Sequence, residues 1–441
     1  MAYSASSLSM KFDFLRYHSC GMIRLKTRKK WWKSLVILVL CLFALDYFFN
    51  IFGVFLILRS TKFDASIYPV EGDIVPLMRS VWRGEKPVVS PVVHPKVTLL
   101  REPVCPSAEI RLLIVIKSAS EHSDRREVIR RTWGFEKRFS DVEIRTIFAV
   151  GSSSNIYVRN AVDKEADEFR DLLYADFVDT YYNNTLKTLT GIRWAANACP
   201  SEYVLFVDDD YYVSVKNLLS FLRHPDEYPE GAIREKKETL KAREAMRAVV
   251  NKNRRLSSFV ESNSEESTRS GSLGFRELNS RNLLLASDLI AKQSVEDSRS
   301  IALSENIFLS EGFYVGYLFS DSVPKRSVWN KWYVSLEEYP FYSFPTYITA
   351  GAILMDHATV VRMHLGTLFT KLFRFDDPYL GIVAKKAKVM PRHSDYFLFD
   401  RHSFYDLLFG VRFEHVIASH GYGEGKDLIR TWEEAKKNGH A

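Results

Sequence analysis

The string "VDDD" (207–210) closes an apolar run, "YVLFV" (203–207), and sets three carboxylates side by side. Adjacent like charges repel, so a positive counterpart is expected at this point. On an extended chain Asp208 and Asp210 point one way and Asp209 the other. Two carboxylates on one side of a strand end suit a hard divalent cation such as Mg²⁺ or Mn²⁺, which keeps positions open for water and substrate phosphates. The competing reading is structural: an acidic cluster capping a helix over 214–223, at the positive end of its dipole. An EF-hand is excluded, because its glycine and spaced ligands are missing. The chain has no Walker A loop, G-x-G-x-x-G fingerprint, H-E-x-x-H pair or nucleophile elbow, so those classes lose support.

A second acidic pair, Asp376-Asp377, lies in "FDDPYLG" (375–381). Read alone it starts a helix, with Pro378 a good early helical residue. Arg126 and Arg130 stand one turn apart on one face of a helix expected over 123–134, which Ser123 can cap. Arginines so placed suit a diphosphate or an ordered acidic partner, or else line a solvated face. Trp133 on the same helix belongs to the core.

The elements that must position these residues follow from periodicity. "RLLIVIK" (111–117), "EIRTIFAVG" (143–151) and "YVLFV" are continuous apolar runs, typical of strands buried on both faces. Helical patterns separate them, over 123–134, 158–173 and the end of 176–200. This alternation predicts an α/β fold whose mostly parallel sheet is covered on both sides. Ligands bind such sheets at the carboxyl ends of the strands, where the aspartates stand. Regular order is interrupted over 226–308, a charged, then Ser-rich stretch that reads as a partly disordered insertion, and resumes at "GFYVGYLFSD" (312–321).

The net charge of +7 over 441 residues first suggests nucleic acid. Residues 1–33 hold eight Lys/Arg and one Asp, so this tail carries all of the excess and the rest of the chain is neutral. A nucleic-acid partner is therefore not expected. The apolar segment 34–58 follows, interrupted by Asp46 and Asn50 and preceded by Trp31-Trp32. It is long enough to cross a bilayer core of about 30 Å. The basic flank puts the N-terminus in the cytosol, giving a type II single-pass topology. Residues 59–106 contain seven of the fifteen prolines and read as an extended stem. The lumenal domain spans 107–441. Cys105 and Cys199 lie on the oxidising side and could pair, or Cys199 could stay free and buried. Asn183-Asn184-Thr185 is a glycosylation sequon on that side.

Several blocks together resemble the β-1,3-galactosyltransferase family, which includes β-1,3-N-acetylhexosaminyl transferases. They are "RREVIRRTWG" (125–134), "DFVDTYYNNTLKT" (176–188), "CPSEYVLFVDDD" (199–210), "KWYVSLEEYP" (331–340) and "FDDPYLG". They occur in the family's order and cover roughly residues 110–420, less the insertion. The resemblance implies a GT-A-like single catalytic domain in the Golgi membrane. It further implies inverting transfer of a hexosyl unit from a UDP-sugar to the 3-hydroxyl of an acceptor sugar on glycoprotein or glycolipid. By similarity Asp210 is a direct Mn²⁺ ligand with Asp208 assisting, Asp209, Arg126 and Arg130 belong to the donor site, and Asp377 is the general base. His420, in "FEHVIASHGYG", is a further candidate contact to metal or diphosphate, or a structural hydrogen-bonder. The chain departs from the family at Phe206, where Lys or a similar residue is usual, at Asp376, where Glu is usual, and in "FPTYITAGAILMD", which keeps Gly351 but not the neighbouring glycines. The rival reading of another class is an inactive relative that binds glycans or partners without transferring sugar.

Overall fold

The computed structural model describes residues 31–48, 51, 53–64, 72–231, 233–235, 237–239, 241, 244, 307–403, 408 and 410–440. Most of the insertion expected at 226–308, and the basic tail, lie outside the described residues. The chain divides into two compact units: Met1–Asp64 with Asp321–Pro345, and Ala65–Ser320 with Thr346–Ala441.

In the first unit the apolar run is not one helix. The described part of helix α1 (Trp31–Phe48) is followed by a bend at Ile51, and α2 (Val54–Arg59) starts afresh after Gly53, whose φ of 75° is left-handed. Asp46 explains the break. Its buried carboxylate accepts the backbone N–H of Gly53 and of Val54, each at 2.8 Å, and so satisfies donors that the start of α2 leaves open. The loop 321–345 is knotted around Arg326, whose buried guanidinium donates to the carbonyls of Val334, Ser335, Tyr339 and Phe341 at 2.7–2.8 Å. Thr61 pairs with this loop: its N–H donates to Pro340 at 3.0 Å and its carbonyl accepts from Tyr342 at 2.8 Å. Ser327 Oγ donates to the Ile51 carbonyl.

The second unit is built on an eight-stranded sheet in the order β1-β4-β3-β2-β5-β8-β7-β9. Its strands are β1 (Leu99–Arg101), β2 (Ile110–Lys117), β3 (Ile144–Ser152), β4 (Leu172–Val178), β5 (Ser201–Asp208), β7 (Tyr314–Phe319), β8 (Tyr347–Asp356) and β9 (Pro391–His393). Strands β4, β3, β2 and β5 run parallel, as the continuous apolar runs require. Strand β8 runs antiparallel to β5 and β7, and β1 is an antiparallel edge strand. A small second sheet joins β6 (Tyr212–Val213), β10 (Phe397–Leu398) and β11 (Ala418–Ser419) in the order β10-β11-β6.

Helices cover both faces. On one, Ile129 and Trp133 from α4 (Ser123–Arg131) and the turn after it, Val162 from α5 (Ile156–Phe169), Leu218 from α7 (Val215–Arg223) and Leu428 from α10 (Gly425–Lys437) share a core with Ile114, Phe148 and Leu205. On the other lie α6 (Asn184–Asn197), α8 (His357–Thr367) and α9 (Asp376–Lys386). Ser123 is the first residue of α4 rather than its cap, which is His122.

The expected stem is partly ordered. Helix α3 (Val75–Trp82) buries Leu77 and Met78, and β1 completes the sheet edge. Cys105 and Cys199 form a disulfide with Cα atoms 5.5 Å apart, fastening the segment before β2 to the turn before β5. Arg326 and the loop around it lie in the other unit, so the block "KWYVSLEEYP" belongs with the anchor rather than with the sheet.

Candidate active site

The site grows from the register of two neighbouring strands. Lys117 ends β2 and Asp208 ends β5, and the two are directly paired. Both strands are apolar up to this point, so the charged ends emerge together where the sheet stops. Lys117 Nζ lies 2.9 Å from Asp208 Oδ1 and 3.0 Å from Asp376 Oδ2. Asp376 also accepts from Asn184 Nδ2 and Thr188 Oγ1, each at 2.9 Å. Burial opposes charge on Lys117, yet the two carboxylates hold its proton more tightly than an ordinary lysine does. Burial likewise opposes charge on Asp376, but Lys117 and Thr188 keep its carboxyl below the usual range.

The three aspartates take three different partners. Asp208 faces Lys117. Asp209, in the turn that follows β5, is buried among Ser118 Oγ at 2.7 Å, His122 Nδ1 at 2.8 Å and Arg125 Nη1 at 2.9 Å. Burial would raise its carboxyl, and the hydrogen bonds from His122 and Ser118, with the Arg125 charge, hold it low. Asp210 turns toward His420, whose Nε2 lies 3.2 Å from its Oδ2, while Asp210 Oδ1 is buried without a hydrogen-bond partner. None of the three caps α7, because Ser214 Oγ does so by accepting from Asn217 N–H at 3.2 Å. The capping alternative is thereby removed.

His420 reaches the aspartates through the small sheet. Strand β11 pairs with β6, placing Ser419 opposite Tyr212, and the Tyr422 N–H donates to the Asp210 carbonyl at 2.8 Å. Residues 210 positions apart are thus brought to one point. Tyr211 lies between, its ring 5.1 Å from that of His420. A Cβ on Gly351 would stand 2.2 Å from the Tyr211 hydroxyl, so the glycine is required for the strand and the tyrosine to share this space.

Asp377 stands in the first turn of α9, next to Asp376. Its Oδ1 accepts the Ala350 N–H of β8. Burial and the Asp376 charge push its carboxyl up to about 7. A carboxyl so tuned can take a proton near neutral pH, as a general base must.

Arg126 and Arg130 are placed differently from the expectation. Arg126 is fully buried (0% exposed). It binds Glu165 through Nε and Nη2 at 2.8 and 2.7 Å, and its Nη1 reaches Ser118 Oγ and the Ala119 carbonyl at 3.0 and 2.6 Å. Arg130 binds Asp171 and Glu165 at 2.7–2.9 Å. Both turn to the core side of α4, where two acidic residues wait, and so act as positioning residues for the loop after β2. Their neighbour Arg125 is the arginine that reaches the aspartates. Asp209, expected at the donor, is likewise saturated by protein groups. Phe206, which stands where the family has a cation, is buried core; Lys117 on the adjacent strand supplies the positive charge. The sequon is built into the same floor: Asn183 Nδ2 donates to the Val178 carbonyl at 2.8 Å and Thr185 is buried.

Among the described residues no three His, Cys, Asp or Glu side chains converge as a complete metal site. The donor set still fits a nucleotide-linked divalent ion. Asp210 offers an unpartnered buried oxygen and His420 an imidazole, and such ions complete their shells with water and phosphate oxygens.

A sequence model of the galactosyltransferase family matches residues 124–269 and 300–395. The chain is 35% identical over 332 residues to the β-1,3-galactosyltransferase brn of Drosophila melanogaster, covering 75% of this chain and 76% of that one. It is 28% identical over 331 residues to the β-1,3-galactosyltransferase bre-5 of Caenorhabditis elegans (74% and 75% covered) and 23% identical to β-1,3-galactosyltransferase 1 of Mus musculus (75% of each). Among solved structures, the galactosyltransferase LgtC in complex with donor and acceptor sugar analogues aligns over 75% of this chain and all of that one, with a TM-score of 0.31 and 11% identity. With the family model matched over more than half of its length and a relative 35% identical over 75% of it, the chain belongs to the galactosyltransferase family and is a glycosyltransferase.

Proposed function

We propose that the protein is an inverting β-1,3-hexosyltransferase. It moves galactose, N-acetylglucosamine or N-acetylgalactosamine from a UDP-sugar to the 3-hydroxyl of an acceptor sugar on glycoprotein or glycolipid. The observation that carries this reading is the pairing of Asp377, a carboxyl raised to about 7, with the Asp208–Lys117–Asp376 network beside Asp210 and His420. The names of the relatives support the linkage.

Asp377 takes the acceptor hydroxyl proton while that oxygen bonds to the anomeric carbon and the bond to UDP breaks, so the diphosphate leaves with the electron pair. The Ala350 N–H fixes one carboxylate oxygen, aiming the other. Asp210, His420 and Asp208 would hold Mn²⁺, which neutralises charge on the departing diphosphate when bound. Lys117 holds both carboxylates in place and keeps Asp376 ionised, while burial pushes the Asp208 carboxyl up to about 7. Helix α1 would anchor the enzyme as a type II Golgi membrane protein.

The test is UDP release by a secreted fragment, residues 60–441, which keeps α3, β1 and the Thr61 pairing, with Mn²⁺ and each of the three UDP-sugars over an array of acceptor sugars. Acceptor- and metal-dependent release, with a β-1,3 product by NMR and inactive Asp377→Asn and Asp210→Ala variants, establishes the reading. A folded fragment that binds no UDP with Mn²⁺ overturns it.

A further inference from the structure

The loop 321–345 carries an exposed aromatic face that the site does not use. Trp329 is 81% exposed and Trp332 49%, with Val328 between Ser327 and Trp329 also exposed. Lys331 lies 5.7 Å from the Trp332 ring centroid. Exposed tryptophans in a soluble loop are costly and call for a surface to meet. The loop's attachment points to which surface. Ser327 donates to the carbonyl of Ile51, three positions after Phe48, the last described residue of α1, and Thr61 pairs with Pro340 and Tyr342. A Cβ on Gly53 would stand 2.5 Å from the Arg326 backbone, so chain and loop are in direct contact there as well. Trp329 follows Ser327 by two positions, so the exposed ring belongs to the stretch of loop that is bonded to the chain just after α1. Helix α1 carries Trp31 and Trp32 exposed at its other end.

We propose that the face formed by Val328, Trp329 and Trp332 docks into the interfacial layer of the same bilayer that α1 crosses. Tryptophan is favoured at that depth, where its ring meets acyl chains and its N–H meets headgroups, and Lys331 faces the phosphates. The loop is therefore a second, reversible membrane contact beside the helical anchor. The proposal rests on α1 being a membrane span.

The full chain, with Cys20→Ser and Cys41→Ser and its disulfide intact, is reconstituted into phosphatidylcholine vesicles. Nitroxide labels at Val328→Cys, at Leu38→Cys within α1 and at Tyr157→Cys report collisions with oxygen and with a water-soluble nickel chelate. Tyr157 is the water reference, being 81% exposed in the other unit. The expected oxygen-to-nickel ratio at 328 is several-fold above that at 157 and below that at 38, and it falls to the 157 value when Trp329→Glu and Trp332→Glu are added. A ratio at 328 equal to that at 157, with a high value at 38, overturns the docking and leaves the span intact. A low value at 38 overturns the span and the docking together. Protection of 328 from both reagents, with spin–spin broadening, shows a second copy on this face and also overturns the proposal.

Discussion

Lys117 and Asp376 are 259 positions apart in the chain and 3.0 Å apart in space, and their bond joins the strand ends that carry the aspartates to the helix that carries Asp377. Breaking a buried pair leaves an uncompensated charge, which costs about 3–5 kcal/mol. Lys117→Met is expected to lower Tm by roughly 10 °C. Adding Asp376→Asn should recover part of the loss. Strictly additive losses in thermal unfolding would show that the two groups share no energy.

Asp377 sets a pH limb. A base works only when ionised, and burial with the Asp376 charge raises this carboxyl to about 7. kcat/KM should therefore fall as pH drops through about 7. Asp376→Asn removes a negative neighbour, stabilises the ionised Asp377 and moves the limb to lower pH. Asp377→Asn should cost about 10²–10⁴ in kcat with Tm and UDP binding preserved. A limb that stays put in Asp376→Asn would disconnect it from Asp377.

Arg126 and Asp210 should fail in opposite ways. Arg126→Met empties a fully buried site facing Glu165 and should depress Tm by several degrees. Asp210→Ala leaves the fold nearly unchanged and abolishes metal-dependent UDP binding. His420→Ala is expected to weaken metal affinity by about 10–100-fold. Calorimetric UDP titrations with and without Mn²⁺, beside thermal melts, separate these outcomes.

Gly351→Ala drives a methyl group into the Tyr211 hydroxyl, 2.2 Å away. The variant should lose most activity while staying folded, because Tyr211 must move from beside His420. Tyr211→Phe in the same chain should restore only part, since the ring carbon Cζ still lies 2.7 Å from the new methyl. Steady-state rates of the two variants give the answer.

The Cys105–Cys199 bridge closes a loop of 94 positions. On the chain-entropy account its loss costs about 4–5 kcal/mol. Cys105→Ser should unfold at clearly lower denaturant than the native chain, with a steeper slope because the unfolded chain is no longer held compact, in urea titrations under oxidising conditions.

The parallel strands were legible because β2, β3 and β5 are continuous apolar runs; the separate partners of Asp208, Asp209 and Asp210 were not, because the chain turns after Asp208 and strand alternation no longer holds there. Nor were the positions of His420 and Lys117. His420 depends on the pairing of β11 with β6 across most of the chain, which no local pattern records. Lys117 did leave a signal: a cation closing the apolar run Leu112–Ile116 needs a partner at the same level, and Asp208 is that partner. Arg126 and Arg130 misled because helical spacing shows which residues share a face, not whether the face looks outward. Glu165 and Asp171, on α5 and just after it, decide that question.

The carboxylate of Asp46 works as a clasp. By supplying acceptors to Gly53 and Val54 it ties α1 to the start of α2 and holds the chain in a turn between two apolar helices. Asp46→Leu would remove both acceptors and let the apolar run continue as a longer helix. The consequence is one of shape: a single side chain sets where the hydrophobic segment bends.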